Sequence, residues 1–281
     1  MNVVEHIELL RKIRWQNPLE SWGLVPTMGF LHEGHLSLVR RAKMENDRVG
    51  VSIFVNPAQF NNSADLEKYP RNLQRDLDML AAEGVDLVWT PTPEIAYPDN
   101  FQTYVNVEDI TQPLEGEKRP GHFRGVTTIV AKLFNVFQPQ RVYFGQKDAQ
   151  QVAVIRRMAT DLNFNLEMVV CPTVRESDGL AMSSRNARLS PEARQDALCL
   201  YRALQTAEAL VQSGKKNAGK IIAAMRKIIE PVERASIDYI SIADPETLAE
   251  VVEIRQHALI SMAVFVDDVR LIDNVLVESK F

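Results

Sequence analysis

The sequence predicts an α/β protein: a parallel sheet with helices on both faces, followed by a smaller C-terminal α+β domain. The first observation is that short apolar runs alternate with segments of helical periodicity from Trp22 to Cys171. The second is that this alternation stops after Pro172, where long amphipathic segments precede strand-like runs. The third is a composition of 46% hydrophobic and 25% charged residues, which is typical of a globular protein. We therefore expect two domains, residues 1–174 and 175–281.

The first elements follow from spacing and punctuation. Val3–Arg14 carries apolar residues at helical spacing, and the short apolar run Gly23–Pro26 indicates a buried strand. A helix is expected over Leu36–Met44 and a strand over Val49–Val55. Pro70–Glu83 is predicted to be helical, with proline near its first turn, where a missing N–H is tolerated.

The alternation continues to the end of the first domain. Asp86–Thr90 is predicted as a strand that runs into a proline-rich loop, and Thr103–Val107 as a short edge strand. The remaining expected elements are helix Val126–Phe137, strand Arg141–Phe144, helix Ala149–Asp161 and strand Leu166–Cys171. Because helices separate these strands, the strands should be parallel and covered on both faces.

The C-terminal domain has a different pattern. Pro191–Gln212 and Asn217–Ile229 are predicted as long amphipathic helices. Three strands, expected to be antiparallel, follow at Ser236–Ile242, Ile260–Val266 and Val269–Ile272. The run from Gly214 to Lys220 fits the spacing of a P-loop, but Ile221 replaces the hydroxyl residue that binds magnesium, so an interhelical turn is the better interpretation.

Charge and composition narrow the class of protein. A net charge of −5 argues against a surface that coats nucleic acid. The N-terminal segment mixes charged and apolar residues, so no signal-peptide core is expected, and no apolar stretch reaches the ~20 residues of a spanning helix. Cys171 and Cys199 have no metal or redox spacing. We expect a cytoplasmic protein with no nucleic-acid or membrane partner.

The segment PTMGFLHEGH (residues 26–35) is the strongest chemical signal. It joins a predicted strand to a predicted helix, and the start of a helix offers free N–H groups and a positive dipole end that attract phosphate. His32 and His35 project from one face there, and Gly29 and Gly34 let the backbone approach a ligand. A surface or core role is common for a single histidine, and the i, i+3 spacing lacks the i, i+4 pattern of a helical zinc site. We interpret the segment as a nucleotide triphosphate site.

Three further clusters lie at predicted strand ends or in loops. NPAQF (56–60) places the amide of Gln59 beside an aromatic ring, and GQKD (145–148) offers Lys147 to a phosphate and Asp148 to ribose hydroxyls. MSSR (182–185) combines two hydroxyls with a guanidinium, which is suited to holding phosphate. Each cluster alone is equally compatible with turns and solvated charges, and their joint placement at one sheet edge favours function.

With these residues assembled, the chain resembles the pantoate–β-alanine ligase (pantothenate synthetase) family of the HxGH nucleotidyltransferase superfamily. The resemblance covers nearly the whole chain through PTMGFLHEGH (26–35), SIFVNPAQF (52–60), RPGHFRGVTTIVAKLFN (119–135), YFGQKDAQQ (143–151), DGLAMSSRN (178–186) and RLIDN (270–274). It implies a Rossmann-like first domain, a second domain that closes over ATP, and a homodimer. It also implies ATP-dependent condensation of (R)-pantoate with β-alanine through pantoyl adenylate, with release of AMP and diphosphate.

The resemblance also implies roles for particular residues. His35 would be the proton donor, and His32, Lys147 and Arg185 would share in catalysis. Gln59 would bind pantoate and β-alanine, and Gln151 would bind pantoate. ATP would contact Met28, Gly29, Phe30, Leu31, His32, Glu33, Gly34, His35, Gly145, Gln146, Lys147, Asp148, Val174, Met182, Ser183, Ser184 and Arg185. Mg²⁺ is expected to arrive with ATP and to bind mainly through phosphates and water, with no side-chain metal ligand.

Three alternatives remain open from the residues alone. A cytidylyl or adenylyl transferase of the same superfamily would use HxGH but would not need the two glutamines. A module related to aminoacyl-tRNA synthetases would need a basic RNA-facing stretch, which the net charge of −5 does not favour. A nucleotide-binding regulator without turnover would differ only in an activity assay.

Overall fold

The computed structural model describes residues 1–279 and divides into two compact units. The first unit comprises Met1–Gln146 and Val154–Pro172; the second comprises Lys147–Ala153 and the described chain from Thr173 onward. The sequence pattern predicts a domain boundary between residues 174 and 175, which leaves Lys147 in the first domain. The packing of the chain instead groups Lys147–Ala153 with the second unit.

The first unit is organised around a six-stranded sheet whose neighbouring strands are all parallel. Its strands are β1 (Asn2–Val4), β2 (Trp22–Thr27), β3 (Arg48–Ile53), β4 (Leu87–Trp89), β5 (Arg141–Gly145) and β6 (Glu167–Cys171), in the order β1-β4-β3-β2-β5-β6. From β2 the chain moves outward through β3 and β4 and later resumes on the other side of β2 with β5. Ligands of open parallel sheets bind at the carboxyl ends of strands where the order reverses in this way. The ends of β2 and β5 are therefore the expected binding edge.

The first unit also contains helices. They are α1 (Ile7–Arg14), α2 (Glu33–Glu45), α3 (Ser63–Lys68), α4 (Leu73–Ala82), α5 (Pro93–Ala96), α6 (Glu115–Lys118), α7 (His122–Phe137) and α8 (Ala149–Asp161), and Val154 onward is the part of α8 in the first unit. Helix α7 is buried on almost every side, and a Cβ on Gly50 of β3 would lie 2.5 Å from the Phe137 ring. Glycine is therefore what lets the sheet and this helix pack at contact distance.

The second unit pairs helices with an antiparallel sheet. Its helices α9 (Pro191–Asp196), α10 (Leu198–Gln212) and α11 (Ala218–Ile229) precede strands β7 (Ala235–Ala243), β8 (His257–Val266) and β9 (Val269–Glu278), which pair in the order β7-β8-β9. Residues of β8 are buried almost throughout, as expected of a central strand covered by helices. The predicted α/β class with a smaller C-terminal α+β domain is confirmed.

Four element predictions were wrong. The helix predicted over Pro70–Glu83 begins at Leu73, so Pro70 precedes it and is not in its first turn. Val3 lies in a parallel edge strand beside β4, so the first helix begins only at Ile7. The single helix predicted over Pro191–Gln212 ends and restarts at Ala197. Thr103–Val107 forms no strand and instead hydrogen-bonds to α7: the Val105 N–H donates to Thr128 Oγ1 (3.0 Å), and Thr127 Oγ1 donates to the Val105 carbonyl (2.7 Å). A short strand-like run in the sequence does not reveal whether another strand lies beside it.

None of the helices within residues 1–279 combines the length and the apolar character needed to span a lipid bilayer.

Candidate active site

The turn between β2 and α2 is shaped by two left-handed residues and one buried carboxylate. Gly29 has φ +82° and Phe30 has φ +50°, so two successive residues bend the chain from the strand toward the helix. Asp76 of α4 accepts hydrogen bonds from the N–H of Phe30 (2.6 Å) and of Leu31 (2.8 Å), and its side chain is only 1% exposed. Because it satisfies two adjacent backbone donors, this carboxylate fixes the turn that presents the helix start.

Asp76 was not identified from the sequence, although a signal was present. It precedes the fully buried Leu80 by four residues and follows Asn72, the N-cap of α4, by four. An acidic residue on the buried stripe of a helix is rarely tolerated unless it is hydrogen-bonded. Such a residue is therefore a marker for a backbone segment that needs a carboxylate.

The two histidines lie together at the start of α2. His32 is the N-cap, with extended backbone, and His35 is in the first turn. Their ring centroids are 4.0 Å apart, and the His32 N–H donates to Nδ1 of His35 at 3.3 Å. An Nδ1 that accepts leaves the neutral imidazole with its proton on Nε2. His35 therefore carries a donor on the nitrogen that points away from its own backbone, at the positive end of the helix dipole.

The side chain of Gln59 is oriented by Asn56, which is itself held by Gly125 and Tyr97. Asn56 caps the 3₁₀ helix Pro57–Gln59, and its Nδ2 donates to Gln59 Oε1 (3.1 Å) and to the Gly125 carbonyl (3.1 Å). Asn56 Oδ1 in turn accepts from the Tyr97 hydroxyl at 2.8 Å. With Oε1 occupied, Gln59 has its Nε2 on the other side, 2.9 Å from Met28 Sδ. The amide thus presents an N–H donor beside Met28, which suits a substrate carboxylate or hydroxyl.

Asn56 is 1% exposed and Tyr97 is half-buried, and burial raises the pKa of the Tyr97 phenol. The phenol therefore remains protonated and able to donate throughout the neutral range. Neither residue was assigned a site role from the sequence. Tyr97 follows Asn56 by 41 positions, so only the fold shows that the two side chains meet.

The RPGHF segment (119–123) also contacts the Pro57–Gln59 turn. Arg119 Nη1 lies 3.2 Å from Nε2 of His122, and His122 Nδ1 lies 2.8 Å from the Gln59 carbonyl. Because a guanidinium can only donate, Nε2 is the acceptor and Nδ1 carries the proton donated to Gln59. A Cβ on Gly125 would lie 2.2 Å from the Ala58 carbonyl oxygen, so α7 touches this turn at a position that only glycine permits.

The remaining predicted ATP ligands lie in the second unit or next to its first segment. Gly145 ends β5, and Gln146–Asp148 form a 3₁₀ helix before α8, with Lys147 half-buried. Val174 accepts at its carbonyl from the Met182 N–H (3.0 Å), so the predicted adenine and triphosphate ligands stand at the two ends of one hairpin. Ser183 Oγ caps the 3₁₀ helix Ser184–Arg188 by accepting from the Arg185 N–H at 3.2 Å.

The structure thus gathers the predicted residues into two groups. In the first unit, the segment from Met28 to His35 and Gln59 meet through Met28. In the second unit, Lys147 and Ser183 line one small cavity, and Gln151 belongs to the same unit. Among residues 1–279, no cluster of three or more His, Cys, Asp or Glu side chains forms a metal-binding arrangement.

Comparison with known proteins gives a consistent result. A family model described as pantoate-beta-alanine ligase matches residues 2–276. The chain is 53% identical over 280 residues to a pantothenate synthetase of Acetivibrio thermocellus, covering 99% of this chain and all of that protein. It is 56% identical over 257 residues to a pantothenate synthetase of Roseiflexus castenholzii, covering 92% of each.

Solved structures agree with the sequence comparison. The crystal structure of pantothenate synthetase from Thermus thermophilus superposes with a TM-score of 0.93 at 46% identity, covering 98% of this chain and 99% of that one. The pantoate-beta-alanine ligase from Francisella tularensis, complexed with beta-gamma ATP and beta-alanine, superposes with a TM-score of 0.81 at 36% identity. That match covers 98% of this chain and 97% of the other.

Proposed function

The chain belongs to the pantoate–β-alanine ligase family. From this membership we propose a role for each site residue in the reaction. The protein is a ligase that joins pantoate to β-alanine at the expense of ATP and forms an amide bond. The observation that carries the proposal is the β2–α2 turn, where Asp76 fixes the backbone and His35 presents a donor at a helix start.

The first step is activation of the acid. The pantoate carboxylate attacks the α-phosphorus of ATP, which gives pantoyl adenylate and diphosphate. His32 and His35 bind the phosphates at the positive end of α2, and the Nε2 proton of His35 stabilises the charge that develops on the phosphoryl oxygens. Lys147, Ser183, Ser184 and Arg185 bind the triphosphate, with Arg185 supplying the planar donor pair.

The second step is transfer of the acyl group to the amine. The β-alanine nitrogen attacks the acyl carbon of the adenylate and AMP leaves, so no covalent bond to the protein is required. Gln59 holds pantoate and β-alanine through the N–H donor that Asn56 leaves available, and Gln151 holds pantoate. Catalysis in this scheme is positioning and charge stabilisation.

The other ATP ligands are assigned by the same motifs. The nucleotide contacts Met28 to Glu33 and Gly34 in the β2–α2 turn. Its ribose and phosphates are bound by Gly145, Gln146 and Asp148. Its adenine contacts the backbone of Val174. Mg²⁺ accompanies the nucleotide and is held through phosphate oxygens and water, where it offsets the negative charge of the phosphates. The donor set suits this, since basic and hydroxyl side chains bind phosphate and leave the metal to the nucleotide.

The biological setting follows from the family resemblance. We propose that the enzyme acts in the cytoplasm as a homodimer, and that residues 1–174 and 175–281 are its functional domains. Sedimentation analysis at several protein concentrations tests the oligomeric state.

The reaction is tested by omission. With ATP and pantoate alone, diphosphate should form up to about one equivalent per active site, and AMP should appear only when β-alanine is added. AMP or diphosphate release that does not depend on pantoate would contradict acid activation. Diphosphate release that requires a phosphorylated alcohol instead would favour a nucleotidyltransferase.

A further inference from the structure

The RLIDN segment has no role in the reaction scheme above, although its last two residues are buried and polar. Asp273 and Asn274 lie on β9 and are 2% and 5% exposed. Burying a carboxylate or an amide is unfavourable unless hydrogen bonds replace the lost water. The partners of these two side chains therefore indicate what the segment is for.

Asp273 holds the hairpin between Val174 and Met182. Arg175 donates to both carboxylate oxygens of Asp273, at 2.7 and 3.0 Å, and also to the Gly179 carbonyl at 3.1 Å. The carboxylate side chain is 1% exposed, so this bidentate pair is shielded from solvent. Arg175 immediately follows Val174, and its antiparallel bridge partner Ala181 immediately precedes Met182.

Asn274 holds the backbone at Lys147. Its Nδ2 donates to the Lys147 carbonyl at 2.7 Å, and its own N–H donates to Asp273 Oδ1 at 2.8 Å. Lys147 and Asp273 line the same small cavity as Ser183. Two consecutive residues of one strand thus bond to the Lys147 backbone and to the Val174–Met182 hairpin.

We propose that Asp273, Asn274 and Arg175 are positioning residues for the ATP-dependent step. They fix the Lys147 backbone and the Val174–Met182 hairpin to one rigid strand, so that Lys147 and Ser183–Arg185 meet the triphosphate as one preassembled group. This inference rests on the proposed phosphate-binding roles of Lys147 and Arg185. It agrees with the grouping of Lys147–Ala153 in the second unit.

The experiment compares Asn274→Leu, Lys147→Met and the double variant in pantoate-dependent diphosphate release. Leucine keeps the size of asparagine but cannot donate to the Lys147 carbonyl. Misplacement of a phosphate ligand should lower kcat/KM for ATP by about ten- to a hundredfold and leave the pantoate KM within about twofold. Because Asn274 acts through Lys147, the double variant should be no more than about twofold worse than Lys147→Met.

The matched control is Asp238→Asn. Asp238 pairs with Arg270 of β9 at 2.8 Å in the same sheet, and neither residue belongs to the Lys147 segment or to the Val174–Met182 hairpin. The Asp238→Asn variant should have reduced thermal stability but the same kinetics with ATP as the parent protein. If Asn274→Leu does not fold, Asn274→Ala replaces it, with the same kinetic expectation.

The outcomes separate the inference from the proposed function. Parental ATP kinetics in Asn274→Leu, with Lys147→Met impaired, would overturn the positioning role and leave the function standing. Losses that multiply in the double variant would also overturn it, because Asn274 would then act independently of Lys147. Parental ATP kinetics in Lys147→Met would remove the phosphate-binding role of Lys147 and the inference with it.

Discussion

At the scale of single residues, the candidate site depends on side chains that hold other side chains. His35 accepts from the His32 backbone, Gln59 is oriented by Asn56, and Asn56 is oriented by Tyr97. The sequence analysis assigned substrate contacts to His35 and Gln59, because they occur in dense motifs. It missed Asp76 and Tyr97, which lie outside those motifs and act only through the fold.

The role of His35 gives the first prediction. Replacing His35 with alanine should lower the rate of pantoyl adenylate formation by ~10²–10³, the usual effect of removing one positioned transition-state donor. Single-turnover quench-flow with ATP and pantoate measures this step directly. Circular dichroism should show unchanged secondary structure, and a near-parental rate in the folded variant would remove His35 from the mechanism.

The orientation of Gln59 gives the second prediction. Tyr97→Phe removes the donor to Asn56 Oδ1, and the loss of one hydrogen bond corresponds to ~1 kcal/mol. We expect the pantoate KM to rise about five-fold while the ATP KM changes by less than about twofold. Tyr104→Phe is the control, because Tyr104 stands two rings away in the same aromatic row, with Phe101 between them. Equal effects of the two variants on the pantoate KM would show that the phenol of Tyr97 does not influence pantoate binding.

At the scale of elements, the distance between a helix and its neighbours decides which glycines can be replaced by a larger residue. Helices α7 and α11 each contain a glycine, but the surroundings differ. A Cβ on Gly125 would strike the Ala58 carbonyl oxygen, whereas the closest atom to a Cβ on the exposed Gly219 is 3.5 Å away. The same substitution should therefore have opposite effects in the two helices.

The third prediction is that these two substitutions change the stability of the protein in opposite directions. Gly125→Ala should destabilise the protein by about 1–3 kcal/mol, since overpacking forces the 57–59 turn to move. It should also raise the KM for pantoate, because Gln59 lies in that turn. Gly219→Ala should stabilise by about 0.5–1 kcal/mol through helix propensity and leave kinetics parental. Urea denaturation measures both, and destabilisation by both alanines would show that the close contact at Gly125 is not what matters.

At the scale of the whole molecule, the fold class was predictable and the grouping of segments was not. Alternating apolar runs and helical periodicity are local signals, and they led to the parallel sheet and to the C-terminal α+β domain. The sequence pattern assigns Lys147–Ala153 to the first domain, and only its packing shows that it belongs with the second unit. The Arg175–Asp273 pair is equally invisible in the sequence, because its residues are 98 positions apart.

The last prediction uses the one cysteine that each unit contains. Cys171 lies in the core of the first unit and Cys199 in that of the second, and they are 5% and 2% exposed. Burial raises the pKa of both thiols, that of Cys199 to about 11. At pH 8 only about one in a thousand Cys199 thiols would be the reactive thiolate, so alkylation should require opening of the core.

Iodoacetamide labelling followed by mass spectrometry should therefore find both cysteines protected at pH 8 and both reactive in denaturant. Because the units have separate cores, Gly125→Ala should speed labelling of Cys171 in mild denaturant and leave Cys199 at its parental rate. Substitution of Gly219 supplies the matched control, with no acceleration at either cysteine. Equal acceleration of both cysteines by Gly125→Ala would show that the two units open as one cooperative body.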